Sequence, residues 1–156
     1  MAIYQDFKEL LELFNARNVE YLIVGAHALA FHGHIRATKD IDLYVRPSQA
    51  NAERVMAALH AFGFGGTGLA QEDFEKPDQI IQLGYPPVRI DLITSINGVS
   101  WEQAAAGKAK GEYGGEPVPF LGRAELIANK KAAGRLQDLA DLERLLAPPA
   151  KKSNED

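Results

Sequence analysis

The chain has 156 residues, a length that suits one compact domain, and its 46% hydrophobic and 24% charged content lies near globular averages. That composition excludes collagen, coiled coil and wholesale disorder, and a chain of this size buries about two-thirds of its unfolded surface without staples. Cysteine is absent, which removes disulfides, thiolate zinc sites and a cysteine nucleophile together, and a formal net charge of -4 argues against a general nucleic-acid coat protein.

The opening segment MAIYQDFKELLELF carries acids inside its first apolar stretch and shows no leader pattern. The run Tyr21 to Phe31 is interrupted by His27 and falls far short of the roughly 20 residues a membrane span needs. The expectation is a cytoplasmic protein with no membrane partner.

Phe7, Leu10, Leu11 and Phe14 recur at i, i+3, i+4 and i+7, which predicts an opening helix. Tyr21 to Val24, stopped by Gly25, reads as a buried strand, and Ala26 to Phe31 as a short helix ending near Gly33. Ile41 to Val45 is a second strand closed by Pro47. Ser48 can cap the next helix, which carries Val55, Ala58, Leu59 and Phe62 on one stripe. The segment FGFGGTG at 62–68 reads as a flexible turn.

Gln79 to Leu83 and Val88 to Ile93 predict two strands separated by Gly84, Pro86 and Pro87. Ser100 caps a short helix through Trp101 and Ala104, and Glu112 to Phe120 holds a Gly-Gly turn suited to a small hairpin. Gly122 to Ala133 and Arg135 to Leu146 are two helices divided by Gly134, with Leu136, Leu139, Leu142 and Leu146 as the apolar face of the second. The expected organisation is a single domain over 1–146 followed by a disordered polar tail over 147–156.

The informative chemistry lies in the acids. Asp40 and Asp42 alternate with Ile41 and Leu43, so on a strand both carboxylates point to one side, their Cα atoms roughly 7 Å apart. Asp91 interrupts a second apolar strand, Arg89 to Ile93. Acids inside strands are unfavourable by propensity and burial, so three of them need a reason. Neighbouring strands would gather them into one cluster whose repulsion a divalent cation relieves. Hard oxygen ligands for Mg2+ suit phosphoryl or nucleotidyl transfer. Gly25, between a strand and a helix, lets backbone N–H groups approach a phosphate.

Val24-Gly25-Ala26, a spacer over residues 27 to 39, Asp40-Ile41-Asp42 and the later Asp91 resemble the signature of the nucleotidyltransferase superfamily, the polymerase-beta-like fold. The stretches HGHIRATKDIDLYV, VRIDLITSINGVSWEQA and LGRAELIANKKAAGRLQDLADLERL look similar to the small bacterial members related to AbiEii-type abortive-infection toxins. The resemblance covers about residues 20 to 146. It implies an α/β (α+β) fold: a small mixed sheet flanked by helices, with a helical carboxy-terminal lobe.

The resemblance also implies roles. Asp40 and Asp42 would bind the Mg2+ (or Mn2+) that holds the triphosphate of an NTP, and Asp91 would complete the metal site and activate the acceptor hydroxyl. Gly25 and Ala26 would line the phosphates, Lys130 would contact them, and Asp138 matches an acid of the same carboxy-terminal pattern. Ala26 departs from the family's Gly or Ser and lacks a hydroxyl for phosphate. The implied reaction transfers an NMP to a hydroxyl of RNA, tRNA or protein, in a toxin–antitoxin or phage-defence context with a cognate partner. Two alternatives stand beside it: a minimal antitoxin that modifies a partner ribonuclease toxin, and a catalytically silent nucleotide- or protein-binding module.

On the residues alone, Lys130 also suits a solvated helix face, and Asp138 and Asp141 suit caps or pairs with Arg135 and Arg144. Arg36 and Lys39 flank the acids and could meet phosphate or balance the acids. His27, His32 and His34 suit the mouth of the site or the cap of the short helix better than zinc, since their spacing is irregular.

Overall fold

The computed structural model describes residues 4–35, 38–64, 68–85 and 88–147. Among them, six helices and six strands form a mixed sheet with helices packed on it. Helix α1 (Gln5–Ala16) buries Phe7, Leu10, Leu11 and Phe14, the stripe its sequence predicts. Strand β1 (Tyr21–Val24) is buried at every residue and runs straight into α2 (Gly25–Phe31). Strand β2 (Asp40–Val45) is followed by α3 (Gln49–Phe62), whose first turn is capped by Ser48 accepting from the Asn51 amide at 3.2 Å.

A 3-10 turn, Gln71–Phe74, inserts fully buried Phe74 into the core. It went unpredicted because a single large apolar residue carries no periodicity. Strands β3 (Ile80–Tyr85) and β4 (Val88–Ile93) pair antiparallel. Gly84, expected in the turn, lies inside β3 opposite Arg89, so the strand runs two residues past Leu83. Helix α4 (Trp101–Ala106) carries the capping box Ser100–Gln103. Strands β5 (Ala109–Tyr113) and β6 (Glu116–Phe120) form the expected hairpin, with β5 beginning three residues earlier than predicted. Helices α5 (Arg123–Ala133) and α6 (Leu136–Leu146) are divided by Gly134, which holds a left-handed conformation at φ 66°.

The sheet order is β3-β4-β2-β1-β6-β5. Two parallel pairings, β2 with β4 and β1 with β6, join three antiparallel ones. The central pairing positions the site, because it sets Asp42 directly beside Asp91 and Asp40 beside Arg89.

The carboxy-terminal helix corrects one expectation. Leu136 is 87% exposed, and Leu139 and Leu146 also face out. The inward residues of α6 are Asp138, Asp141 and Leu145. The inward face of the helix is held by ion pairing of both acids to Lys130 together with the packing of Leu145. The Arg36 position, the centre of the 62–68 turn, the Pro86-Pro87 turn and residues 148–156 of the expected tail lie outside the described residues.

Candidate active site

A cleft of about 460 Å³ opens over the acid-bearing face of the sheet, lined by Val24, Gly25, Asp42 and Asp91 on one side and by Asn129, Lys130 and Arg135 of the carboxy-terminal lobe on the other. Its floor follows from strand register. Gln82, Asp91, Asp42 and Val24 form one row across β3, β4, β2 and β1. Alternation along each strand brings these residues to a common face, while Ile41, Leu43, Ile90 and Leu92 are buried beneath.

Asp42 and Asp91 meet closely enough to share a hydrogen bond. Burial first, and then the neighbouring Asp91 carboxylate, push the Asp42 carboxyl up to about 7. Asp91 is raised as well, chiefly by burial, against the lowering effect of Arg89. The two carboxyls therefore titrate as a pair, and both hold a proton more tightly than a free carboxyl does. Asp91 Oδ1 is buried with no hydrogen-bond partner among the described residues. Asp40 stands on the same face of β2, but its carboxylate lies 3.4 Å from Arg89 Nη2. Its charge still raises both other acids.

This arrangement fits a hard divalent cation. Two apposed carboxylates, one of them with an orphaned buried oxygen, are a donor set that repels itself when fully ionised and is relieved by a cation. Mg2+ is commonly bound through one or two carboxylates together with substrate phosphates, rather than by an all-protein cage. Among the described residues no group of three or more His, Cys, Asp or Glu side chains is gathered about one point. The acids that meet are thus Asp42 and Asp91, with Asp40 engaged by Arg89.

Gly25 opens α2 with φ 67° and lies against the Asp42 carboxylate. A Cβ there would overlap the Asp42 oxygen, so no side chain can stand between the helix start and the acid. Ala26 follows at the second helical position, half-buried. Lys39 precedes β2 and is exposed.

Lys130 is buried rather than on a solvated face. Its ammonium lies 3.0 Å from Asp141 Oδ2 and 3.3 Å from Asp138 Oδ1, and its charge lowers the Asp42 carboxyl. Asp138 also accepts from the Arg135 amide at 3.2 Å and from Arg135 Nε at 2.6 Å. It is therefore a cap and an ion-pair partner at once, and the Arg135 hydrogen bonds hold its carboxyl below the ordinary value. Gln137 Nε2 donates to Asp141 at 2.9 Å. The expected pairing of Asp138 with Arg135 is present, and the tie of both acids to Lys130 across two helices was not anticipated.

The histidines do not gather. His27 is buried against Phe7 and Tyr113 and bonds the Asp40 backbone, and burial pushes its pKa down. It belongs to the core beneath the start of β2, not to the mouth of the cleft. His32 Nε2 contacts the Leu121 carbonyl at 2.8 Å. Sequence reasoning missed Arg89, Gln82, Asn97 and Asn129. Arg89 was legible as a cation two residues before Asp91, whereas the amides reach the cleft only through the fold.

No protein-family model and no curated protein matches the chain. Solved structures do. A candidate nucleotidyltransferase from Thermotoga maritima is 14% identical, with a TM-score of 0.59 over 93% of this chain and 95% of that one. The lincosamide antibiotic adenylyltransferase LnuA, solved with lincomycin bound, is 14% identical, with a TM-score of 0.51 over 93% of this chain and 98% of that one. An antigenic nucleotidyltransferase-like protein from Paracoccidioides brasiliensis is 18% identical, with a TM-score of 0.50 over 96% of this chain and 80% of that one. The mixed α/β fold of this chain is that of the nucleotidyltransferases.

Proposed function

We propose that the protein is a nucleotidyltransferase that moves an NMP from an NTP to an acceptor hydroxyl. The observation that carries this reading is the apposition of Asp42 and Asp91 in a cleft bounded by the start of α2 and by Lys130. Asp42 and Asp91, with Asp40 beside them, would hold Mg2+ or Mn2+, which when bound neutralises charge on the phosphates. Gly25, which has no Cβ to push the Asp42 carboxylate aside, and the Ala26 amide would line the phosphates beside the metal. Of the three donors on the Lys130 ammonium, Asp138 and Asp141 occupy two, leaving one for phosphate. Exposed Lys39 adds a positive charge beside the acids.

The acceptor oxygen attacks the α-phosphorus and forms a new P–O bond. The bond from that phosphorus to the bridging oxygen breaks, and pyrophosphate leaves with the electron pair. The hydroxyl proton passes to the ionised Asp91 carboxylate, whose buried oxygen has no hydrogen-bond partner among the described residues. The enclosed geometry supplies orientation, and the fixed charges supply stabilisation as charge develops.

The resemblance to AbiEii-type proteins extends the proposal to a toxin–antitoxin or phage-defence setting in the cytoplasm with a cognate partner, and by itself it leaves the acceptor hydroxyl open among RNA, tRNA and protein. Among the described residues no helix is long and apolar enough to cross a membrane. Incubation with α-labelled NTPs, Mg2+ and a bacterial lysate tests the reaction. Label in a macromolecule or metabolite, with release of pyrophosphate, supports it. NTP left intact, with no heat of Mg-NTP binding, contradicts it.

A further inference from the structure

The two ends of the cleft differ in chemistry, and strand order tells them apart. The β1 end begins at Gly25, where the helix start faces Asp42. The opposite end lies beyond Asp91 on β4 and β3, the open edge of the sheet. There Ile80 and Ile93 are register partners two rows from Gln82 and Asp91, and so on the same face of the sheet. The lining continues through Ser95, Ile96 and Asn97.

Apart from Asp91 the side chains at this end, Ile80, Gln82, Ile93, Ser95, Ile96 and Asn97, are all uncharged. The cations lining the cleft among the described residues, Lys130 and Arg135, both come from the opposite lobe and pair with Asp138, and β3, β4 and the segment after them supply none to its lining. Ile80 is 68% exposed, so the core does not use it. Asn129 Nδ2 donates to the Asn97 carbonyl at 3.0 Å and ties the carboxy-terminal lobe over this end. Apolar walls with a few amide and hydroxyl groups are the usual composition of a small-molecule subsite. A polyanionic chain would instead need cations to replace its counterions.

We infer that the β3–β4 end is the acceptor subsite and takes an uncharged, hydroxyl-bearing molecule with an apolar face, rather than a nucleic acid. The inference rests on the nucleotidyl-transfer reading, which makes Asp91 the base; with the triphosphate at Gly25, the attacking hydroxyl stands on the other side of Asp91. The acceptor hydroxyl loses its proton to Asp91 and bonds to the α-phosphorus as pyrophosphate leaves. Gln82 and Asn97 hydrogen-bond the acceptor's other polar groups, while Ile80 and Ile93 cover its apolar face.

Two measurements separate the inference from the reading beneath it. Calorimetry with Mg-NTP comes first, and a protein that binds no nucleotide fails the transfer reading itself. With binding established, α-labelled NTPs are offered with n-octyl β-D-glucoside, with N-acetyltyrosinamide and with total bacterial RNA. These arms distinguish a sugar alcohol, a phenol and a polyanion. Label on an uncharged probe, together with an Ile80→Lys variant that raises the KM for that probe at least fivefold, supports the inference. Label in an RNase-sensitive product, an Ile80→Lys variant that labels RNA better than the parent, or Mg-NTP binding with no transfer to either uncharged probe overturns it.

Discussion

Lys130 Nζ lies 3.0 Å from Asp141 Oδ2, and the two residues are 6% and 0% exposed. One buried cation on α5 is thus matched to a buried anion on α6, with Asp138 completing the cluster at 3.3 Å. Removing one member of a buried pair leaves the other charged and desolvated, a loss of about 3–5 kcal/mol. Asp141→Ala leaves Lys130 with Asp138 alone, so it should lower unfolding stability in urea by about 3 kcal/mol, the lower end of that range. A loss under about 1 kcal/mol would show that water reaches the pair.

The same rotation of α6 predicts tolerance where the leucine pattern suggests a core. Leu136→Glu changes a side chain that is 87% exposed and should shift stability by no more than about 0.5 kcal/mol. A loss of about 2 kcal/mol or more would place Leu136 against a buried surface.

These two residues also show how much of the chain was legible in its sequence. The α1 stripe and the β1 run are legible because their apolar residues lie where the core is, a local pattern with one solution. In α6 the pattern had two faces, one of leucines and one of acids. Only the position of Lys130 on another helix decides which turns inward. The acids were singled out because carboxylates inside strands contradict strand propensity. That Asp42 meets Asp91 while Asp40 meets Arg89 depends on the parallel register of β2 and β4, elements separated by α3 and β3. No local signal carries that pairing.

Gly25 makes a sharp test of the helix start. Its φ of 67° disfavours any side chain, and a Cβ would overlap the Asp42 carboxylate. Gly25→Ala should displace Asp42 or the start of α2, lower the melting temperature and abolish measurable Mg-NTP binding. Native melting with native nucleotide affinity would mean that α2 starts differently from the structure described.

The acid pair sets the sign of a pH effect. Burial raises the Asp42 carboxyl from 3.8 to about 7, so between those values the folded chain holds a proton that the unfolded chain has released. Stability from this group is present below 3.8 and is lost as pH rises toward 7, levelling above it. Asp138, held low by Arg135, acts oppositely and only in the acid range. In chelator, the melting temperature of wild type relative to Asp42→Asn should fall as pH rises from 4 to 7. A difference that stays flat or rises would show that Asp42 is an ordinary exposed acid.

The central claim is that Asp42 and Asp91 form a metal–nucleotide site, and thermal melting of wild type and Asp42→Asn with and without Mg2+ and NTP tests it most directly. Neutralising one member of a repelling pair should leave the chelated variant melting at the same or a higher temperature than wild type. Wild type should then gain stability as Mg-NTP is added, about 2.7 kcal/mol at a hundredfold excess over Kd, while the variant gains much less. A lower melting temperature for the chelated variant, together with an unaltered response to Mg-NTP, would contradict the account.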